Sequence, residues 1–220
     1  MTAQLALSDR DTLTGLPGYE AFLRDLEASK ETVQPSERSV SIALVDIDQF
    51  GRVNAKNGRE AGDVAISGLA QALIHSFGDE AAVYRYGGDA FMVLFEGMEK
   101  EQAFLRTEEA RKAFEGKQVV ERGDGSVNGS LTISVGVAAF PDDATTVPDL
   151  IRKCSEALYR AKVSGRNKVA LAREKKMVTK TSHYTLGQLE GLSRLAKREG
   201  LNEATLLREA LDDLLRKHNS

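Results

Sequence analysis

The chain has 220 residues, 41% of them hydrophobic, which is enough for one ordinary domain and a small second unit. A formal charge of −3 excludes a strongly basic protein that coats nucleic acid, and one cysteine excludes an internal disulfide framework. No secretory signal is visible and no apolar run reaches the roughly 18 residues typical of a membrane span, so we expect a cytoplasmic protein without a membrane partner.

The first strongly patterned stretch is a helix followed by a buried strand. Apolar residues recur at helical spacing over residues 18–30, and residues 40–48 form a nearly continuous apolar run that is typical of a strand buried on both faces. This run contains Asp46 and ends with Asp48. A carboxylate at the point where a strand leaves the core costs free energy unless it has a partner. The pair therefore indicates a nearby cation.

A turn and a second helix follow the strand. Residues 49–52 are predicted to form a turn whose backbone amides can face phosphates, and Gly51 permits close approach of the chain. The next predicted helix covers residues 64–75. Considered alone, Asn54 is an ordinary loop residue, and Asp63 stabilises the N-terminus of that helix.

A paired glycine and an aspartate lie at the centre of residues 84–95. Alternating aromatic and aliphatic residues flank Gly87-Gly88-Asp89, and this predicts a hairpin because glycines supply the positive φ that a tight turn needs. Asp89 would then lie at the tip of a sheet. If the hairpin is adjacent to the first buried strand, Asp46 and Asp89 converge on one divalent cation. Magnesium fits such a place, since it prefers a few hard oxygen ligands shared with nucleotide phosphates.

The remaining part of this region alternates between helices and strands. Cys154 lies at helical spacing with apolar residues and is predicted to be a small core residue. The predicted elements are a helix at residues 100–114, a strand near 119–120, a turn at 123–125, a strand at 131–139 and a helix at 147–163.

Several motifs here resemble, in the same order, those of the GGDEF family of diguanylate cyclases. They are DRDTLTGLP at residues 9–17, DIDQF at 46–50, GGDAF at 87–91, LTISVGVA at 131–138 and ALYRAKVSGRN at 157–167. The resemblance implies an α/β fold, an α+β sandwich of the nucleotidyl-cyclase or palm type, in which helices flank a central, mostly antiparallel sheet. It also implies binding of GTP or a related guanine nucleotide with Mg²⁺ (or Mn²⁺).

The resemblance further implies roles for individual residues. Asn54 and Asp63 would hydrogen-bond the guanine, and the chemistry agrees, because an Asp carboxylate accepts from N1–H and the exocyclic amine, a pair that adenine does not offer. Lys162 and Arg166 would meet the triphosphate, where cations offset its negative charge. The implied metal ligands are Asp46, Ile47 and Asp89, the implied catalytic residues are Asp89, Asp46 and Lys162, and the implied nucleotide-binding residues are Phe50, Gly51, Asn54, Asp63, Lys162 and Arg166.

Two departures from the family pattern bear on activity. The signature reads GGDAF, with Ala90 where the family has glutamate, so a carboxylate of the acidic cluster around the metal is missing. We therefore predict low or absent cyclase activity. Product-inhibited members carry Arg-x-x-Asp before the hairpin, whereas residues 78–81 here read GDEA. Without that arginine, we predict that the usual inhibitory site for the cyclic dinucleotide is missing.

The composition changes after residue 172, and we predict a first domain at residues 1–172 and a second at 173–220. The second segment has 10 Lys and Arg against 7 Asp and Glu, a net charge of +3, which leaves −6 for the first. A β-prone polar run at 177–184 precedes two leucine-striped helices. Gly200 is a good stop for the first of these helices, and Asn202 can cap the second.

This order resembles the ribbon-helix-helix family, most clearly at residues 195–211. The resemblance implies a homodimer whose paired strands form a ribbon that can enter a DNA major groove. The alternation of side chains along the strand allows two outward faces. One consists of Thr179, Thr181 and His183, and the other of Lys180, Ser182 and Tyr184. The candidate DNA contacts are Thr179, Lys180, Thr181, Ser182 and His183.

Three functional hypotheses remain open at the level of sequence. The first is an enzyme, in which two GTP-loaded domains condense their nucleotides into cyclic di-GMP. The second is a receptor, in which a guanine nucleotide binds with little turnover and its occupancy is transmitted to a DNA-binding ribbon. The third is a structural role, in which the C-terminal segment only dimerises. Ala90 favours the receptor over the enzyme.

Overall fold

The structure is a computed structural model that describes residues 10–31, 39–115, 121–122, 125–126, 131–172, 182–200 and 202–218. The chain forms two compact units, Met1–Lys176 and Met177–Ser220. The predicted strand near 119–120, most of the predicted turn at 123–125, and Thr179, Lys180 and Thr181 lie outside the described residues.

A five-stranded mixed sheet forms the centre of the first unit. Its strands, in chain order, are β1 (Val40–Ile47), β2 (Ala82–Gly87), β3 (Ala90–Glu96), β6 (Ile133–Phe140) and β7 (Val169–Leu171); a separate pair is formed by β4 (Glu121–Arg122) and β5 (Gly125–Ser126). The spatial order is β2-β3-β1-β6-β7, and only β6 and β7 run parallel. All residues of the central β1 are buried, as its apolar run predicts.

Helices cover both faces of this sheet. They are α1 (Tyr19–Glu31), α2 (Phe50–Asn57), α3 (Arg59–Phe77), α4 (Lys100–Phe114) and α5 (Val147–Val163). Because side chains alternate along a strand, Ile42 and Leu44 of β1 pack on the face covered by α1 and α5, whereas Ala43 and Val45 pack on the face covered by α3 and α4. The predicted sandwich of helices around a mostly antiparallel sheet is confirmed.

Three local features differ from the sequence-based predictions. The predicted turn at residues 49–52 is the start of α2, which contains no buried residue and therefore shows no apolar stripe in the sequence. Helix α3 begins at Arg59 rather than at residue 64. Asp63 is therefore an exposed residue of its second turn, beyond the first turn in which the helix dipole acts. The short strand β7 is not predicted, because its three residues show no periodicity.

A very close approach between sheet and helix occurs at Gly136 of β6. A Cβ atom built there would overlap the Cys154 carbonyl oxygen and the Leu158 amide nitrogen of α5. Cys154 is fully buried, as predicted, and its Sγ lies 3.1 Å from the Gly136 carbonyl oxygen. Burial raises the pKa of this thiol to about 12.

The second unit contains two helices, α6 (Leu186–Glu199) and α7 (Glu203–His218). The predicted ends are confirmed: Gly200 adopts the left-handed conformation after α6, and Asn202 Oδ1 accepts a 2.8 Å bond from the Thr205 amide at the start of α7. Ser182, His183 and Tyr184 are exposed and lack regular secondary structure, so the predicted strand is not observed at its described end. A strand needs a partner strand for its hydrogen bonds, and none pairs with these residues within the described part of the chain. None of the described helices has the length and apolar character needed to cross a membrane.

Candidate functional site

The predicted hairpin is confirmed and brings its tip against the end of β1. Gly87 and Gly88 have φ angles of 135° and 56°, which glycine adopts without strain. Ala90 is the cross-strand partner of Asp46, and the Ile47 amide donates to the Asp89 carbonyl oxygen at 3.4 Å. The hairpin therefore holds Asp89 next to the strand end that carries Asp46.

Asp46 is a buried carboxylate with an incomplete set of partners. Lys162 Nζ lies 2.5 Å from Asp46 Oδ1 and forms an ion pair with it, and no other donor among the described residues reaches this oxygen. Burial raises the pKa of Asp46, and the negative charges of Asp89 and Asp48 act in the same direction, against the opposing effect of Lys162. A further cation at this carboxylate would relieve that cost.

Asp48 differs from Asp46 although it lies only two residues away. Its Oδ1 accepts from Ser134 Oγ at 2.6 Å, and its Oδ2 accepts from Thr132 Oγ1 at 2.7 Å and from the Asn167 amide at 2.9 Å. Three donors satisfy this buried carboxylate. The two acids of the motif thus have different environments. Asp46 has an oxygen without a hydrogen bond, whereas both oxygens of Asp48 accept hydrogen bonds from Thr132, Ser134 and Asn167.

The candidate base-binding residues lie on α2 and α3. Asn54 Oδ1 is buried without a hydrogen-bond partner. It lies against Gly62, where a Cβ atom would overlap this oxygen and come within 2.9 Å of the Phe50 ring. The Asn54 amide can therefore occupy this position only because residue 62 has no side chain. Asp63, the next residue, is exposed.

The candidate phosphate-binding residues lie at and just beyond the end of α5. Lys162 is half-buried beside Asp46, whereas Arg166 is exposed. The Arg166 amide donates to the Ala161 carbonyl oxygen at 3.0 Å, which turns the chain back at the helix end. Gly51 is exposed on α2, and a Cβ atom there would meet no protein atom within 4 Å.

Arg85 is a residue of this site that the sequence motifs do not predict. It is buried on β2, its Nη1 donates to the Ala90 carbonyl oxygen at 2.9 Å, and its Nη2 donates to the Gly88 carbonyl oxygen. Its Nε lies 3.8 Å from Asp11 Oδ1, and its guanidinium lies 4.9 Å from the Phe91 ring centre. Arg85 thus fixes both sides of the hairpin tip. The available signal is a charged residue in an otherwise apolar strand arm.

The carboxylates present suit a magnesium ion that also binds phosphates. No group of three or more His, Cys, Asp or Glu side chains that could hold a metal exists among the described residues. Asp46 and Asp89 remain, and one of the Asp46 oxygens has no hydrogen bond. Mg²⁺ typically takes one or two carboxylates and completes its shell with water and nucleotide phosphates. The residues therefore fit this ion when a nucleotide is bound with it.

Comparison with known proteins gives one consistent family. Residues 8–168 match the family described as "Diguanylate cyclase, GGDEF domain". "Diguanylate cyclase A" of Treponema denticola is 28% identical over 172 residues, which are 77% of this chain and 46% of that protein. "Diguanylate cyclase DgcZ" of Escherichia coli is 29% identical over 174 residues, 79% of this chain and 56% of that protein. The chain spans about half the length of these relatives.

The fold similarity agrees. The solved GGDEF domain of DgcB from Caulobacter crescentus, in complex with c-di-GMP, superposes with a TM-score of 0.70 at 25% identity. The match covers 75% of this chain and 96% of that domain.

Proposed function

The chain belongs to the diguanylate cyclase GGDEF-domain family, and from this membership we propose that it is a guanine-nucleotide receptor of cyclic di-GMP signalling with low or no cyclase activity. It binds GTP together with Mg²⁺. A dimeric C-terminal segment then transmits the occupancy of the site to DNA.

The observation that carries nucleotide binding is a pair of buried acceptor oxygens whose partners within the described residues are incomplete. Asn54 Oδ1 has no donor, and Asp46 Oδ1 has the Lys162 ammonium group at ion-pair distance but no further partner. Among the described residues, the buried side-chain polar atoms without hydrogen-bond partners are Asp46 Oδ1, Asn54 Oδ1 and Arg85 Nε. Leaving such a group unpaired costs about 1–3 kcal/mol. A ligand that brings a cation to Asp46 and an N–H donor to Asn54 recovers this cost, and a Mg²⁺-nucleotide brings both.

The metal side of the site consists of hard oxygen donors. Asp46, Asp89 and Ile47, through its carbonyl oxygen, would hold Mg²⁺, which would neutralise part of the phosphate charge when bound. Lys162 is the ion-pair partner of Asp46, and its ammonium group would be released to a phosphate at the same place once a metal ion neutralises that carboxylate. Arg166 supplies a second, bidentate cation for the triphosphate.

The base side of the site favours guanine. The exposed carboxylate of Asp63 can accept from both guanine N1–H and the exocyclic amine. Asn54, held against Gly62, contributes an acceptor to the same base. Adenine has no N–H at N1, so it would leave the Asp63 carboxylate without one of its two donors.

Low turnover follows from the residue opposite Asp46. Ala90 places a methyl group where the family signature has a carboxylate, and it is the direct strand partner of Asp46. The site thus has less negative charge with which to position a cation against the reacting phosphate.

The alternative function is an active cyclase that converts two GTP into cyclic di-GMP and two pyrophosphates. The retained Asp46 and Asp89 favour it, since Asp89 lies near enough to raise the pKa of Asp46. That reaction needs the 3′-hydroxyl of one GTP near the α-phosphate of another, so it depends on how two copies are brought together.

Calorimetry separates binding from turnover. GTP is titrated into the full chain with MgCl₂, with EDTA, and in parallel with ATP, and the GTP incubation is then analysed by chromatography. The receptor requires Mg²⁺-dependent binding of GTP, weaker binding of ATP, and little cyclic di-GMP. Abundant product would instead support the active cyclase, and equal affinity for ATP and GTP would overturn the guanine site.

A further inference from the structure

The loop after α5 holds Arg166 in a left-handed backbone conformation that arginine does not favour. Gly165, Arg166 and Asn167 have φ angles of 114°, 62° and 47°. Asparagine tolerates the left-handed region, whereas an arginine there costs roughly 1–2 kcal/mol. Such a residue persists only where the surroundings hold it. The loop that carries Arg166 therefore depends on contacts made by the rest of the protein.

Asn167 is where those contacts converge. Its amide donates to Asp48 Oδ2 at 2.9 Å, its side-chain oxygen accepts from Arg111 Nη1 at 2.7 Å, and its Nδ2 donates to Glu115 Oε1 at 2.7 Å. The Val169 amide, two residues on, donates to Glu108 Oε1 at 3.1 Å. Of these acceptors, Asp48 is the one that holds the backbone of the left-handed pair itself.

Asp48 is a rigid anchor for this bond. Its side chain is buried, is fixed by the Thr132 and Ser134 hydroxyls, and its own amide donates to the Thr132 carbonyl oxygen at 2.9 Å. Both carboxylate oxygens are occupied by donors, so a metal ion would have to displace them. The anchor directly follows the central strand β1, although Asn167 is 119 residues away in the sequence.

We propose that Asp48 is a positioning residue for Arg166. By accepting the Asn167 amide, it fixes the left-handed turn, and so the backbone from which the Arg166 guanidinium reaches the triphosphate. This inference rests on the proposed phosphate-binding role of Arg166. It assigns the two acids of the DIDQF motif to different tasks: Asp46 faces the cation, and Asp48 orders the phosphate-binding loop through Asn167.

The test compares variants that keep or remove the acceptor. Asp48→Asn can still accept the Asn167 amide through its Oδ1 while its Nδ2 donates to the Ser134 hydroxyl, whereas Asp48→Ala removes the acceptor. Asp48→Ser also removes the acceptor of the Asn167 amide, because its hydroxyl oxygen lies one bond nearer the backbone than a carboxylate oxygen. It leaves a polar atom for the Ser134 hydroxyl, so it provides the test if Asp48→Ala does not fold. Asp142→Ala, which removes an exposed carboxylate, is the control. Each variant of the full chain is titrated with Mg²⁺-GTP by calorimetry and with guanosine by ligand-observed NMR, alone and combined with Arg166→Ala.

We expect Asp48→Ala and Asp48→Ser to weaken GTP binding about tenfold, the scale of one charge-assisted hydrogen bond. The GTP affinity of Asp48→Asn should stay within about threefold of wild type, and guanosine binding should be unchanged in every variant. In the Arg166→Ala background the loss of GTP affinity should disappear, because the effects of substitutions at coupled residues do not add. Three results would overturn the positioning role while leaving GTP binding itself intact. They are an equal loss of GTP affinity in the Arg166→Ala background, an equal loss of guanosine affinity, and a loss of GTP affinity in Asp48→Asn as large as in Asp48→Ala. Unchanged GTP affinity in Arg166→Ala alone would instead remove the proposed phosphate contact, and with it this inference.

Discussion

Asp46 on β1 and Ala90 on β3 are direct cross-strand partners. Side chains of such a pair lie on the same face of the sheet with Cβ atoms about 5 Å apart. The side chain at position 90 is thus the nearest one on β3 to the Asp46 carboxylate, and the alanine leaves that carboxylate with Lys162 as its charged partner at ion-pair distance.

Restoring the missing carboxylate should increase turnover. We expect Ala90→Glu to raise synthesis of cyclic di-GMP from Mg²⁺-GTP by at least about tenfold, since metal-assisted phosphoryl chemistry depends on charge that positions the ion. Ala90→Gln, which has the same size without the charge, is the control and should stay at the wild-type level. Product is measured by chromatography. Robust synthesis by the wild type, unchanged in Ala90→Glu, would show that the carboxylate is dispensable here.

The elements visible in the sequence are those with a strong local pattern. The apolar run of β1, the glycine pair of the hairpin and the full length of α5 are predictable because each pattern is contained in a short run of consecutive residues. Helix α2 has no buried residue, and β7 has three residues, so neither carries a period. Both become visible only in the folded chain.

The different roles of Asp46, Asp48 and Arg85 in the site cannot be predicted from the sequence for a different reason. Asp46 and Asp48 have the same chemistry and neighbouring places in the motif, and what distinguishes Asp48 is the three donors from Thr132, Ser134 and Asn167. Those partners lie 84 to 119 residues further along the chain. The role of Arg85 likewise depends on which carbonyl oxygens the hairpin turns toward it. Such contacts follow from tertiary packing rather than from spacing.

Asp63 should determine the choice of base. We expect Asp63→Ala to weaken GTP binding by roughly 1–3 kcal/mol, the scale of a lost charge-assisted hydrogen bond. ATP binding should change little, because adenine lacks the N1–H donor that Asp63 accepts. Calorimetry with both nucleotides measures this, and Asp79→Ala, another exposed carboxylate, is the control. A similar loss for ATP would contradict the assignment.

Gly136 should be required for packing of the sheet against α5. An added methyl group would overlap backbone atoms of Cys154 and Leu158, and backbone cannot rotate away as a side chain can. We expect Gly136→Ala to lower the free energy of unfolding by about 1–3 kcal/mol or more. Gly51→Ala is the matched control, because Gly51 is exposed in the first turn of α2 with open space around it, and it should change stability by less than about 0.5 kcal/mol. Urea unfolding of both variants provides the comparison.

The Cys154 thiol should make stability fall in alkaline solution. Burial raises its pKa from 9.0 to about 12, so between these values the unfolded chain loses a proton that the folded chain keeps. The free energy of unfolding therefore decreases as pH rises through this window. We expect the decrease between about pH 9 and pH 11 to be steeper in wild type than in Cys154→Ala, measured by urea unfolding. Equal slopes would mean that the buried thiol does not contribute to the pH dependence.

The leucines of the C-terminal unit should hold two copies together. Leu211 and Leu214 of α7 are each 54% exposed, and a helical hairpin of this size does not bury enough surface to be stable alone. We propose that a second copy covers this face. Replacing both residues with lysine should convert a dimer to a monomer in light scattering. Leu105→Lys is the control, since Leu105 of the first unit is 60% exposed and its replacement should leave the dimer intact.

The same variants test whether dimerisation is needed for DNA binding. The net charge of +3 over residues 173–220 predicts modest affinity that falls with added salt, because a protein that neutralises few phosphates releases few counterions. The −6 of the remaining chain opposes nonspecific binding, so a defined operator or a nucleotide-controlled state is favoured over general coating of DNA. A screen of random duplexes at low salt, with and without GTP, should enrich a sequence for wild type and for Leu105→Lys but not for the Leu211→Lys, Leu214→Lys double variant. No enrichment for wild type in either nucleotide state would leave the C-terminal unit with dimerisation as its only role.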